Sequence, residues 1–281
     1  MTNERIERIG QNEDNRFLFR YFINFGLMLK QQFLNTINQF DSISLAEMDE
    51  VKLMNRVDTK FAFQALDLHK VLEAIMDDYR VFEIEGTRTP SYESQYFDDT
   101  HYTLYHDHHK GKMSRFKVRV RKYVESNLHF LEIKHKFKGR TNKQRIVADR
   151  FNDFLSEHQS KFIDQAMNEH MELQPCLWNS FQRITLVGKL FNERLTFDFN
   201  IEFKWNNHVE KFDNLIIAEL KQERTDRNSP FFKVMKEMAI RPYRLSKYCI
   251  GSIELHGKEN LKYNRFKKKL LKLKEINDDA A

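Results

Sequence analysis

The sequence predicts an α+β domain, an eight-stranded antiparallel β-barrel tunnel with surrounding helices, and three observations carry that expectation. Residues 115–123 alternate cleanly. Alternate side chains of a strand point to opposite faces, so Arg115, Lys117, Arg119 and Arg121 share one face and Phe116, Val118 and Val120 the other. The pattern repeats almost at once in residues 130–136, where Leu131 and Ile133 oppose Glu132, Lys134 and Lys136. It then returns far along the chain, in residues 56–63, 193–202 and 215–221. Cations aligned along one side of a strand repel one another, and packing gives no reason to line them up. A solvated sheet face or a nucleic-acid surface accounts for one such pair of strands. Recurrence favours closure: with about eight strands, one set of faces becomes a charged lumen and the apolar set is covered by helices.

Composition narrows the partner. The chain has 281 residues, enough for one large domain with appendages, and 41% hydrophobic content with 25 Phe suits a Phe-rich core. A net charge of +6 favours anions. With 8 Gly and no glycine-rich phosphate loop, any phosphate must be bound by side chains. Cys176 and Cys249 have neither metal-binding nor redox spacing and read as reduced thiols of a cytoplasmic protein. No apolar signal segment follows Glu4, Arg5, Glu7 and Arg8. The longest apolar run, Tyr21 to Leu29, is about nine residues, too short to cross a bilayer.

Taken in order, residues 1–14 are polar. Leu18, Tyr21, Phe22, Phe25, Leu29, Phe33, Ile37 and Phe40 recur at helical spacing, predicting an amphipathic helix over 15–40. Ser44 and Glu47 form a capping-box pair. Residues 56–63 read as a strand with Arg56, Asp58 and Lys60 on one face, and Asp67 as the cap of a helix to about Tyr79. Strands follow at 80–84 and 92–98, with a short helix at 100–105. His106, His108 and His109 are placed in a solvated loop, since no organising carboxylate pair accompanies them. After the two basic strands, Lys143 and Arg145 share a face. Residues 148–175 have helical spacing and end before Pro175. Residues 181–189 form a strand carrying Arg183. Along 193–202, Arg194, Thr196, Asp198 and Asn200 oppose Leu195, Phe197, Phe199 and Ile201. Glu219 and Lys221 share a face, Pro230 starts a helix, and residues 258–281 form a basic, exposed tail helix. The organisation expected is an extension over 1–44, a body over 45–255 and a basic tail over 256–281.

Six motifs occur in order: Arg56-x-x-x-Lys60-Phe61, Tyr96-Phe97-Asp98, Lys117-x-Arg119-x-Arg121-x-Tyr123, Leu131-Glu132-x-Lys134-x-Lys136, Glu219-x-Lys221 and Leu245-Ser246-Lys247-Tyr248. Together, over about residues 45–255, they resemble the VTC domain, the polyphosphate polymerase branch of the CYTH-like triphosphate tunnel metalloenzymes. The resemblance implies a triphosphate tunnel fold whose basic walls bind ATP and polyphosphate, with Mn²⁺ or Mg²⁺ as cofactor. It implies that Lys60, Arg119, Arg121, Lys134, Arg183, Arg194 and Lys247 contact phosphates, with Arg119, Arg121, Lys134 and Lys247 as the catalytic set. Arg56, Lys117, Lys136, Lys221, Arg244 and Ser246 complete the substrate-binding set, and Glu219 stands where the family places its metal-binding glutamate. The related hydrolases and cyclases open with Glu-x-Glu-x-Lys. Here Arg56-x-Asp58-x-Lys60 lacks the first acid, which favours the polymerase branch.

The expected function is ATP-dependent polyphosphate synthesis. Triphosphate hydrolysis on the same fold and non-catalytic polyphosphate or nucleotide binding are the alternatives. Nucleic acid is disfavoured because the basic strands lack interleaved aromatics for base stacking. The expected location is cytoplasmic, peripheral to the inner face of the membrane through a membrane-protein partner.

Overall fold

Alternation of apolar and charged residues builds one long, curled antiparallel sheet. The computed structural model describes residues 31–50, 56–138, 140–257 and 259–278. The main path consists of β2 (Val57–Gln64), β11 (Leu215–Gln222), β9 (Glu193–Trp205), β8 (Gln174–Gly188), β4 (Ser91–Asp98), β5 (Ser114–Tyr123), β6 (Leu128–Phe137) and β7 (Arg140–Ala148), hydrogen-bonded in that order. Three short strands branch off it: β1 (Ser42–Ile43), β3 (Tyr79–Phe82) and β10 (His208–Phe212). The fold class is therefore as expected, with one difference. Among the described residues β2 and β7, the two ends of the path, do not pair with each other. The Lys60 carbonyl of β2 instead accepts from the Tyr243 N–H at 2.6 Å, so residues around 243 lie along that strand.

The apolar faces are covered as the pattern demands. Phe61 and Phe63 of β2, Ile184 and Leu186 of β8 and Leu195, Phe197 and Phe199 of β9 pack under α3 (Leu68–Ile75) and α6 (Pro230–Glu237). Helix α3 buries Leu68, Val71, Leu72 and Ile75, one stripe at 3.6-residue spacing. Pro230 occupies the start of α6, where its missing N–H costs nothing. Val118, Val120, Leu131 and Ile133 pack against Ile163 and Met167 of α5 (Glu157–Met167).

The concave side carries the charges and one helix. Helix α7 (Lys247–His256) is buried on nearly every side, from Tyr248 to Ile253 and again at Leu255. It packs with the lumen aromatics Tyr92, Tyr96 and Phe181. A Cβ on Gly251 would lie 2.4 Å from the Phe203 ring, so only glycine lets helix and strand approach this closely. Helix α7 thus plugs one end of the lumen.

Several expectations change. Of the helix expected over 15–40, residues 31–38 are helical (α1) and the remainder through residue 30 lies outside the described residues. Ser44 and Glu47 do form the capping box, opening α2 (Leu45–Glu50). Asp67 makes no side-chain cap, because a 3₁₀ turn over Ala65–Asp67 leads straight into α3. The three histidines lie on α4 (Thr103–Lys110), not in a loop. Asp98 accepts the N–H groups of Leu104 and Tyr105, Asp99 accepts that of Thr103, and Gly111 ends the helix at φ 75°. The helix expected over 148–175 shrinks to α5, capped by Ser156 and Gln159, and Pro175 lies inside β8. The tail helix α8 (Lys267–Asp278) is not simply exposed: Leu270 and Leu273 are buried, and Lys274 pairs with Glu254 at 2.7 Å.

Candidate functional site

Strand pairing puts the charged faces side by side. Arg119 lies opposite Glu132 and Tyr96, Arg121 opposite Ser94, and Lys117 opposite Lys134. On the other wall Glu219 lies opposite Lys60 and Thr196, and Lys221 opposite Asp58 and Arg194. Curling then brings the walls together. Lys134 on β6 is within the field of Glu219 on β11, and Lys136 within that of Asp58 and Lys60 on β2, although these strands are far apart along the ladder.

Three carboxylates organise the cations. Glu132 is 0% exposed; its Oε2 accepts from Arg119 Nε at 2.9 Å and Nη2 at 2.5 Å, and its Oε1 pairs with Lys143. Asp198 accepts from Arg183 Nε at 2.5 Å and Nη2 at 2.8 Å, and pairs with Lys247. Glu219 pairs with Lys60 at 2.9 Å and with Lys221. Burial acts to raise all three carboxyl groups. The neighbouring cations overcome it and hold each well below the usual carboxylate range: Arg119 and Arg121 for Glu132, Arg183 and Lys247 for Asp198, Lys221 and Lys60 for Glu219.

Cations outnumber these carboxylates. Among the described residues Lys117, Arg121 and Lys134 form no ion pair. Arg121 donates to Ser94 Oγ at 3.2 Å and lies 5.5 Å from the Tyr92 ring and 5.4 Å from that of Phe181. Burial, reinforced by Lys60 and Arg119, brings Lys117 down to about 8, and burial with Arg119 and Arg121 pushes Lys134 well below its ordinary value. Lys247 is also lowered to about 8, chiefly by burial, against the pull of Asp198. Lys60 runs the other way: burial opposes its charge, but Glu219 raises it above the normal lysine value. An environment that costs lysines their protons is one that a polyanion relieves.

The remaining expected residues ring this centre. Arg56 pairs with Asp58 at 3.3 Å, Arg194 donates to the Met48 carbonyl of α2 at 3.3 Å, and Lys136 is half-buried. Arg244 is exposed, within the field of Lys136. Ser246 caps α7, its Oγ accepting from the Cys249 N–H at 3.4 Å. Sequence reasoning missed Lys143, Glu132, Asp198 and an aromatic floor. Lys143 and both acids stand in the same alternating patterns as the chosen cations, so the signal was present. The floor carried none: Tyr92 and Phe181 stack at 5.4 Å and 11°, with Arg121 and Arg183 lying over both rings and Lys247 over Phe181.

The lumen offers a divalent metal few protein donors. Among the described residues no cluster of three His, Cys, Asp or Glu could cage an ion. Magnesium-like ions use one or two carboxylates plus substrate phosphates rather than protein cages. Glu219, with Asp58 opposite its neighbour Lys221, fits that pattern. Among the described residues no helix is long and apolar enough to cross a membrane.

The family model of the VTC domain matches residues 55–256. No curated protein matches the chain. Among solved structures, an adenylate cyclase candidate from Vibrio parahaemolyticus is 9% identical, with TM-score 0.42, covering 69% of this chain and 97% of that one. HpAC1 from Hippeastrum, an adenylyl cyclase candidate described with a dominant triphosphatase activity, is 12% identical, with TM-score 0.42, covering 71% and 97%. A conserved protein of Pyrococcus furiosus is 13% identical, with TM-score 0.38, covering 68% and 97%.

Proposed function

The chain belongs to the VTC domain family, and from that premise we propose that it transfers the terminal phosphoryl group of ATP to a polyphosphate chain held in the basic lumen. The observation that supports this most is the set Lys117, Arg121 and Lys134, a buried arginine flanked by two half-buried lysines that form no ion pair among the described residues. A row of phosphates supplies the missing charge. Phosphoryl transfer asks little covalent work of protein groups, so positioning and charge neutralisation dominate.

In this reading Arg119, Arg121, Lys134 and Lys247 hold the phosphates at the point of transfer. Arg183, Lys60, Lys117 and Lys143 bind along the chain, with Lys221, Arg194, Lys136, Arg56, Arg244 and Ser246 toward its ends. Each charge-assisted hydrogen bond contributes about 1.5–3 kcal/mol. A divalent metal, Mn²⁺ or Mg²⁺, neutralises and orients phosphate oxygens when bound, and Glu219 with Asp58 would hold it.

Transfer to phosphate is favoured over hydrolysis by what the lumen carboxylates can do. Glu132, Asp198 and Glu219 are all held ionised by adjacent cations and are weak proton acceptors at neutral pH. A water nucleophile must shed a proton, which here would fall to a lysine of lowered proton affinity such as Lys134, whereas a phosphate oxygen is already an anion and needs no base. The partner set is then ATP and polyphosphate, with the protein cytoplasmic and docked through a membrane protein at the inner face.

Incubation with γ-labelled ATP and Mn²⁺, followed by sizing of the labelled products, tests the proposal. A ladder of lengthening phosphate chains is expected; label appearing only as free phosphate would assign the site to hydrolysis.

A further inference from the structure

Helix α7 reaches the lumen at its first residue, and one carboxylate ties it there. Asp198 of β9 is 2% exposed. It grips Arg183 of β8 through two parallel bonds, Nε to Oδ1 at 2.5 Å and Nη2 to Oδ2 at 2.8 Å. The same Oδ2 accepts from Nζ of Lys247, the first residue of α7. Both cations also lie against one ring, Arg183 at 5.1 Å and Lys247 at 4.5 Å from the Phe181 centroid. Two like charges held beside one ring repel unless an anion joins them. Among the described residues Asp198 is the only carboxylate paired with either.

We propose that Asp198 is a positioning residue: it holds Arg183 and Lys247 as one phosphate-facing pair and, through Lys247, seats α7 across the end of the lumen. The proposal rests on the reading of Arg183 and Lys247 as phosphate ligands. A two-pronged carboxylate fixes a guanidinium in plane as well as in place. It takes only some of the donors on each cation and leaves the others for substrate oxygens. Burial keeps Asp198 from exchanging with phosphate, so it orients the two ligands without competing for them. The other anchors of α7 lie elsewhere along it: the Ser246 cap, the bond from Tyr248 Oη to Asp98, apolar packing around Gly251, and at its far end the Glu254–Lys274 ion pair and the bond from His256 to the Cys176 carbonyl.

Cys249 makes the seat measurable, because it lies on the first turn of α7 and is 2% exposed. The test compares wild type with Asp198→Asn and Asp198→Glu in two assays: calorimetric binding of inorganic tripolyphosphate, and the rate at which a thiol reagent labels Cys249 in the folded protein, assigned by mass spectrometry. Asp198→Asn is expected to weaken tripolyphosphate binding by about tenfold or more and to speed Cys249 labelling by a similar factor. Asp198→Glu is expected to restore both to near wild type, which loss of general stability would not explain. Wild-type affinity together with a protected Cys249 in Asp198→Asn overturns the proposal, as does tighter binding. If Asp198→Asn does not fold, Lys247→Met decides: it leaves the Arg183 bond intact, and a Cys249 as protected as in wild type overturns the seating role. Failure of the phosphate reading shows separately, as absence of tripolyphosphate binding by the wild-type protein, while the thiol assay still reports the seat.

Discussion

Replacing Glu132 by Gln removes the charge of the most buried of the three lumen carboxylates while keeping its volume. Glu132 is 0% exposed and serves Arg119 through two nitrogens, at 2.9 and 2.5 Å, and Lys143 through its other oxygen. Removing one partner of a buried ion pair costs about 3–5 kcal/mol, because the other charge is left without compensation. Lys143 is 31% exposed and can turn toward water, whereas Arg119 cannot. The lower end, about 3 kcal/mol, is therefore the expected loss. At about 2–4 °C per kcal/mol for a chain of this size, Tm should fall by about 6–12 °C. The sign with pH follows from the depressed carboxyl. Its stabilisation is complete above the unfolded value of about 4.3 and is lost only as pH falls toward the much lower folded value. The deficit of Glu132→Gln should thus be constant from about pH 5.5 upward and shrink in acid. Tripolyphosphate should raise Tm more in the variant than in wild type, since the freed cations gain a partner. Thermal unfolding with and without tripolyphosphate reads both effects. A variant that melts within about 1 °C of wild type would show that Glu132 does not hold these cations together.

Three further outcomes follow from the same charge arrangement. Arg121→Met should weaken tripolyphosphate binding while leaving Tm unchanged or raised, because Arg121 is a buried cation that bonds Ser94 and forms no ion pair with a carboxylate; Arg119→Met should lower Tm, because it strips Glu132 of its two bonds, and equal Tm shifts for the two would contradict the pairing. Lys117, Lys143 and Lys247 titrate near 8 in the folded protein, below the unfolded value of about 10.4, so the folded state binds fewer protons in between. Each lysine should therefore contribute stability that grows as pH climbs from about 8 to 10, seen as a smaller gain over that range in Lys117→Met than in wild type, while tripolyphosphate affinity falls; the same pH dependence of melting in Lys117→Met and wild type would refute this. Glu219→Gln should shift the Mn²⁺ dependence of turnover to higher concentration and leave tripolyphosphate affinity, measured without metal, within about threefold of wild type; an unchanged Mn²⁺ midpoint would make Glu219 an ion-pair partner alone.

Much of the lumen was legible because a strand has period two and its charges are conspicuous. The β5–β6 hairpin, the strand carrying Asp58 and Lys60, and the strand ending in Glu219 and Lys221 all lie where alternation placed them. Helix α7 was hidden for the same physical reason. A helix buried on nearly every side shows no polar stripe, and Gly251 at its centre reads as a break until Phe203 is seen against it. Residues 149–156 misled in the opposite direction: Phe151, Phe154 and Leu155 mimic a helical repeat, yet Phe154 is exposed and the backbone is irregular. The anions were visible but undervalued. Glu132 and Asp198 stood among the cations in sequence, and only register and curvature show that each ties two of them together. The tail shows how charge masks packing, since its lysines suggest exposure while Leu270 and Leu273 reach the core.

The concave face is proposed to be a receptor for a chain of phosphates, and calorimetric titration without turnover tests this most directly. Orthophosphate, pyrophosphate and tripolyphosphate are compared in wild type and Arg121→Met, at two salt concentrations. Affinity is predicted to rise with each added phosphate, to saturate at one chain per protein, to weaken with salt, and to drop by about tenfold or more in the variant. Equal affinity for orthophosphate and tripolyphosphate, or wild-type binding in Arg121→Met, would contradict it.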